Sequence, residues 1–206
     1  MEVPRPDPAA ADDSKNLYVF ERSVTRRHRD GSTSIGRIDL YRHKCFVLEA
    51  KQGSEQPAQQ ASLLDPAPRL RRGTAVRGTG GWDEAMVRAR FQAEAYAKDL
   101  PVAEGWPPFL IVVDVGHTIE LYADFSQTGK AYVPFPDAGT HRIYLADLST
   151  ALIRERLRKV WLDPLELDPA RVTARVTRRV AEQLAELAKA MEGNHEPEQV
   201  ASFLMR

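Results

Sequence analysis

The chain has 206 residues, 43% of them hydrophobic and 28% charged, which is enough apolar material for one core with appendages and excludes wholesale disorder. Its 29 Lys/Arg balance 29 Asp/Glu, so it is not a protein that is basic all over. The single cysteine, Cys45, excludes an intrachain disulfide and fits a reducing cytoplasm, and no apolar run approaches the roughly 20 residues needed to span a bilayer.

Residues Met1 to Asn16 are rich in Pro, Ala and Asp and read as an extended or disordered lead-in, with no secretory signal pattern. Leu17 to Thr25 has the aromatic and β-branched content of a strand. Arg26-Arg27-His28-Arg29-Asp30-Gly31 follows, and Asp-Gly is a hairpin signal. Gly36 to Tyr41 then reads as a second strand and Cys45 to Gln52 as a third, so Tyr18 to Lys51 forms a three-strand meander. This meander holds eight Lys/Arg against four acids, an excess that suits phosphate contacts or, alternatively, a solvated face. Arg26, Arg27 and Arg29 make a basic tip able to contact a nucleic-acid backbone without reading sequence.

The second and third strands carry the chemistry. Residues i and i+2 of a strand share a face, so Glu49 and Lys51 project together, roughly 6.6 Å apart along the backbone. With a turn centred near Lys44, Asp39 falls across the ladder from Glu49. Two carboxylates of this kind suit Mg²⁺ with positions left open for water and a phosphate oxygen, and a nearby lysine suits charge stabilisation or water orientation. The competing reading is a half-exposed strand pair with a surface ion pair.

Gly53 to Gly81 loses periodicity and clusters Arg69, Arg71, Arg72 and Arg77, as either a DNA-contacting loop or a disordered insertion. Trp82 to Leu100 reads as a helix capped by Asp83 and closed by Pro101, with Gln92 and Tyr96 one turn apart on one face. Pro108 to Val115 is an apolar run, the mark of a central strand, and Thr118 to Phe125 returns as its partner. Asp114 within that run is either a further acid near the site or a cap of the turn at Gly116-His117. A short strand at His141 to Leu145, amphipathic helices over Thr150 to Trp161 and Ala170 to Glu192, and a further helix opened by Pro197 complete the reading.

The order of elements, with Asp39, Glu49-x-Lys51 and Gln92-x-x-x-Tyr96, resembles the PD-(D/E)xK nuclease core, a mixed α/β sheet flanked by helices. The wording GSTSIGRIDLYRHKCFVLEAKQG, RGTGGWDEAMVRARFQAEAYA and PPFLIVVDVGHTIELYADF resembles the N-terminal region of type IIL, MmeI-like restriction–modification enzymes and of related class I adenine-specific DNA methyltransferases of phage-defence systems. The resemblance implies a lead-in over residues 1–16, a nuclease-like domain over 17–148 with a basic loop at 52–81, and a helical extension over 149–206 that leads to a spacer.

It further implies an Mg²⁺- or Mn²⁺-dependent DNA endonuclease domain. Asp39, Glu49 and the Ala50 carbonyl would hold the metal, with Lys51, Gln92 and Tyr96 completing the catalytic set. Arg26, Arg27, Arg29, Arg37, Arg71, Arg72 and Arg77 would contact double-stranded DNA, and Glu21 or Asp114 would supply any third acid. The alternative is a non-cleaving DNA-binding or regulatory module of such a methyltransferase. The implied partners are the methyltransferase and target-recognition domains of a parent chain, defence-system proteins or a second copy, in the cytoplasm and without a membrane. S-adenosylmethionine would bind only in the methyltransferase domain, since this sequence has no glycine-rich loop for it and no Asn/Asp-Pro-Pro-Tyr motif.

Overall fold

The computed structural model describes residues 2–28, 30–55 and 75–192. Three antiparallel strands open the fold: β1 (Tyr18–Arg27), β2 (Thr33–Arg42) and β3 (Phe46–Lys51). Helix α1 (Gly80–Asp99) then crosses to β4 (Phe109–Asp114), which runs parallel to β3. Parallel neighbours need such a crossover, and a helix is its usual form. β5 (Thr118–Ala123) returns antiparallel to β4. Its free edge is shared end to end by two short strands, β6 (Val133–Pro134) on Tyr122 and Ala123 and β7 (Arg142–Tyr144) on Thr118 to Glu120. The result is a mixed seven-stranded sheet in the order β1-β2-β3-β4-β5-β6, the mixed α/β architecture expected from the sequence.

Burial explains the layers. β4 has its middle residues fully enclosed, as a continuous apolar run predicts for a strand covered on both faces. α1 supplies Met86, Ala89, Ala93, Tyr96 and Ala97 to a core shared with Ile38, Tyr41, Val47, Leu110 and Val112. The small alanines let the helix axis approach the sheet closely. On the same unit, α2 (Ala151–Leu162) buries Leu157 and Val160, and Trp161 packs on Phe46 with ring centroids 4.5 Å apart.

Two compact units divide the chain, Met1–Pro164 and Leu165–Arg206. The second contains α3 (Pro169–Glu192), whose apolar positions Val172, Val176, Val180, Leu184 and Leu187 recur at helical spacing.

Several boundaries differ from expectation. The lead-in is extended but pinned: Asp7 forms a bridge with Val19, and a short 3-10 turn spans Asp13–Lys15. α1 is capped by Thr79, whose side chain accepts from the Trp82 backbone N–H, while Asp83 lies inside the first turn. A hydroxyl at N-cap reaches that amide directly, whereas an acid in the first turn acts through the helix dipole. The helix expected after Pro197, and most of the expected loop, fall outside the described residues.

Candidate active site

The turn between β2 and β3 sets the register. Lys44 adopts a left-handed conformation with φ of 58°, and the ladder pairs Arg42 with Phe46, Tyr41 with Val47 and Leu40 with Leu48. It ends there. One step further, where Asp39 would face Glu49, the Asp39 carboxylate takes the place of a backbone acceptor and receives the Ala50 N–H at 2.6 Å. β3 thereafter pairs with β4 alone, and the strands part at the acid that was expected to matter.

Glu49 is almost wholly enclosed, with its side chain 3% exposed, and Lys51 donates to its Oε1 at 2.6 Å. Its other oxygen, Oε2, is buried without a hydrogen-bond partner among the described residues. Burial pushes the Glu49 carboxyl above its ordinary range and the neighbouring Asp39 charge adds to this, while Lys51 pulls it back. Lys51 also donates to Gln92 Oε1 at 3.3 Å, and Gln92 Nε2 donates to the Tyr96 hydroxyl at 3.2 Å. Glu49, Lys51, Gln92 and Tyr96 therefore form one hydrogen-bonded chain from β3 into α1. Asp39, Ala50 and Lys51 line an open cleft of about 590 Å³, together with Glu21 and the apolar Phe20 and Val115.

Two residues that support this chain have no motif to mark them. A Cβ at Gly36 would lie 2.6 Å from Tyr96 Cε1, so only glycine lets the ring seat against β2. Arg26 lies over the same ring, 5.4 Å from its centroid, and donates to Asp99 at 3.2 Å. A glycine inside an otherwise good strand is the sequence signal that points to such a close approach.

The expected DNA-contacting arginines separate into groups. Arg27 is exposed on β1. Arg37 is exposed on β2 and pairs weakly with Glu21. Arg26 is turned inward to α1, as above. Arg77 is only 12% exposed and commits its guanidinium to Asp114, Glu55 and the Val115 carbonyl, which leaves it no fork for a phosphate. Arg29, Arg71 and Arg72 lie outside the described residues.

Asp114 is the centre of a separate knot. It accepts from Gly53 N–H at 2.8 Å, from Arg77 Nε at 2.8 Å and from Trp82 Nε1 at 2.9 Å. Burial alone would raise its pKa, but these donors and the Arg77 charge outweigh it and hold the carboxyl below the usual range. A carboxylate so engaged is structural. His117 forms the turn after β4 and packs edge-on against Trp82 and Tyr144. Among the described residues, no three His, Cys, Asp or Glu side chains converge as they stand.

A family model described as the N-terminal domain of MmeI matches residues 1–194. The chain belongs to the MmeI N-terminal domain family. No curated protein and no solved structure matches it. Membership in the MmeI family sets the chain in a restriction–modification context that acts on DNA. Among the described residues no helix is long and apolar enough to cross a membrane.

Proposed function

We propose that this MmeI-family domain hydrolyses phosphodiester bonds in double-stranded DNA, with a divalent cation such as Mg²⁺ or Mn²⁺ held by Asp39, Glu49 and the Ala50 carbonyl. The observation that carries this reading is the Glu49 oxygen left without a partner among the described residues, on a buried carboxylate beside Asp39. Buried polar atoms are nearly always satisfied, so an orphan here is an acceptor open to a ligand. An all-oxygen donor set suits a hard cation. When bound, the metal would polarise the phosphate and lower the pKa of a bound water.

The chain's own residues supply the rest. An ammonium has three donors, and Lys51 spends two of them on Glu49 and Gln92. The third has no partner among the described residues and can meet a phosphate oxygen or orient a water. Gln92 fixes the lysine's direction, and Tyr96 holds Gln92 through the amide that faces away from Lys51. Arg27 and Arg37 provide exposed positive charge for the DNA backbone.

Calorimetry with Mn²⁺, with and without DNA, tests this on wild type, Asp39→Ala and Glu49→Ala. Uptake that both substitutions abolish is expected. Lys51→Ala is expected to lose cleavage by a factor of about 10² or more while it keeps DNA affinity. A folded wild type that takes up no cation even with DNA present overturns the reading. DNA affinity would then leave the non-cleaving module, a reading favoured by the closed Lys51–Glu49 contact.

A further inference from the structure

We infer that the apolar side of the cleft at Asp39 and Lys51 takes one nucleobase turned out of the DNA stack, with Phe20 as its stacking surface. This rests on the proposed attack on DNA at that cleft. The strand registers carry the inference. Phe20 pairs with Leu40 and Leu40 with Leu48, so these three side chains share one face of the sheet. Ala50, two residues on from Leu48, lies on that face with its β4 partner Val113, and Val115 follows in step. All six line the cleft that Asp39 and Lys51 also line. The β2–β3 ladder ends at Leu40 and Leu48, and it is at this opening that the apolar floor meets the charged groups.

A single exposed apolar side chain is ordinary on a protein surface. Here Phe20, 58% exposed on β1, and Val115, 52% exposed beyond β4, stand at the two sides of one continuous floor. Side chains of this kind offer no hydrogen bond, so they neither hold a phosphate nor read a base edge. What they fit is the flat face of a base, for which an aromatic ring is the usual platform. In a paired duplex those faces lie against one another, out of reach of any side chain.

The rest of the cleft fits the rest of a nucleotide. Its volume of about 590 Å³ falls within the range of small-molecule sites, roughly 300–1,000 Å³. Lys51 gives the cleft a cation beside the apolar floor, as a nucleotide has an anion beside an apolar base. Cutting would thus proceed on a duplex with one nucleotide turned out next to the bond that breaks. Turning it out costs pairing and stacking energy, which a nucleotide already unpaired spares.

The test is fluorescence anisotropy of the full chain with two labelled duplexes, one fully paired and one carrying a single unpaired nucleotide. EDTA keeps cations and cleavage out of the measurement. Wild type is expected to bind the second duplex about tenfold or more tightly. Phe20→Ala is expected to bind both alike and to keep the wild-type thermal midpoint, because the ring it removes is exposed. Phe20→Trp, with a larger stacking face, is expected to keep the preference. Equal binding of the two duplexes by wild type, or a preference that survives Phe20→Ala, overturns the subsite and leaves the cation-dependent hydrolase standing on its own test. Self-association of wild type on gel filtration that Phe20→Ala abolishes makes this face a contact between copies, and overturns the subsite too. No binding of either duplex overturns both readings.

Discussion

Asp114 shows what a buried charge costs and what offsets it. Its side chain is fully enclosed, and Arg77 meets it with two nitrogens. Removal of one partner from a buried pair leaves the other charge uncompensated, at about 3–5 kcal/mol. Asp114→Asn is therefore expected to lower the urea-unfolding free energy by about 3 kcal/mol at neutral pH. The pH dependence has a definite sign. The folded pKa lies below the ordinary value, so the stabilisation is complete above the unfolded pKa and is lost as pH falls through the folded one. The acid limb of the wild-type stability profile should thus be steeper than that of Asp114→Asn, and equal slopes would refute the assignment. At the same scale, Asp39, Glu49 and Lys51 were legible because strand alternation and a turn at Lys44 fix their spacing. The partners of Arg26 and Arg77 were not legible. They lie 73 and 37 residues away, and nothing local to an arginine tells a phosphate ligand from half of a buried pair.

At the scale of elements, α1 and β2 are in contact through a residue with no side chain. Gly36→Ala would place a methyl group against the Tyr96 ring and, at 3.1 Å, against Arg26 Cδ. Overpacking of this kind costs about 1–3 kcal/mol. The expected outcome is a lower thermal midpoint together with weaker cation uptake, because a displaced Tyr96 releases Gln92 and with it Lys51. Arg37→Ala, on the exposed side of the same strand, should leave the midpoint unchanged. A Gly36→Ala chain that melts like wild type would show that the ring can move aside without cost. Strands β1 to β5 were readable from apolar, aromatic and β-branched content between turn signals, and the three helices from their spacing and caps. The start of α1 was misread because Thr79 and Asp83 both suit a helix N-terminus, and only tertiary placement decides which one caps. β7 falls within the short strand read at His141 to Leu145, whereas β6, two residues long, is too short for any period to show.

The whole molecule is a sheet-centred unit followed by a helical one, divided after Pro164. α2 belongs to the first unit and fixes Trp161 on Phe46, with the indole N–H donating to the Tyr18 hydroxyl at 3.1 Å. A chain shortened to residues 1–164 is therefore expected to keep a single cooperative unfolding transition, followed through Trp fluorescence, with a midpoint within a few degrees of full length. A broad, non-cooperative transition would show that the helical unit is needed for the first to fold.

One feature of this unit also bears on how such a domain can change over evolutionary time. Ser54 and Val76 form a parallel bridge, Ser54 N–H donates to Ala75 O at 2.9 Å, and Arg77 N–H returns to Ser54 O at 2.9 Å. Asp114 then holds Gly53 and Arg77 together. The end of β3 and the approach to α1 are thus clasped together at a neck. Loop-closure entropy grows slowly with length, by about 0.6 kcal/mol per doubling for a flexible chain, so a neck held by its own contacts lets the number of residues between Gly53 and Arg77 vary among such domains while β3, α1 and Asp114 keep their register.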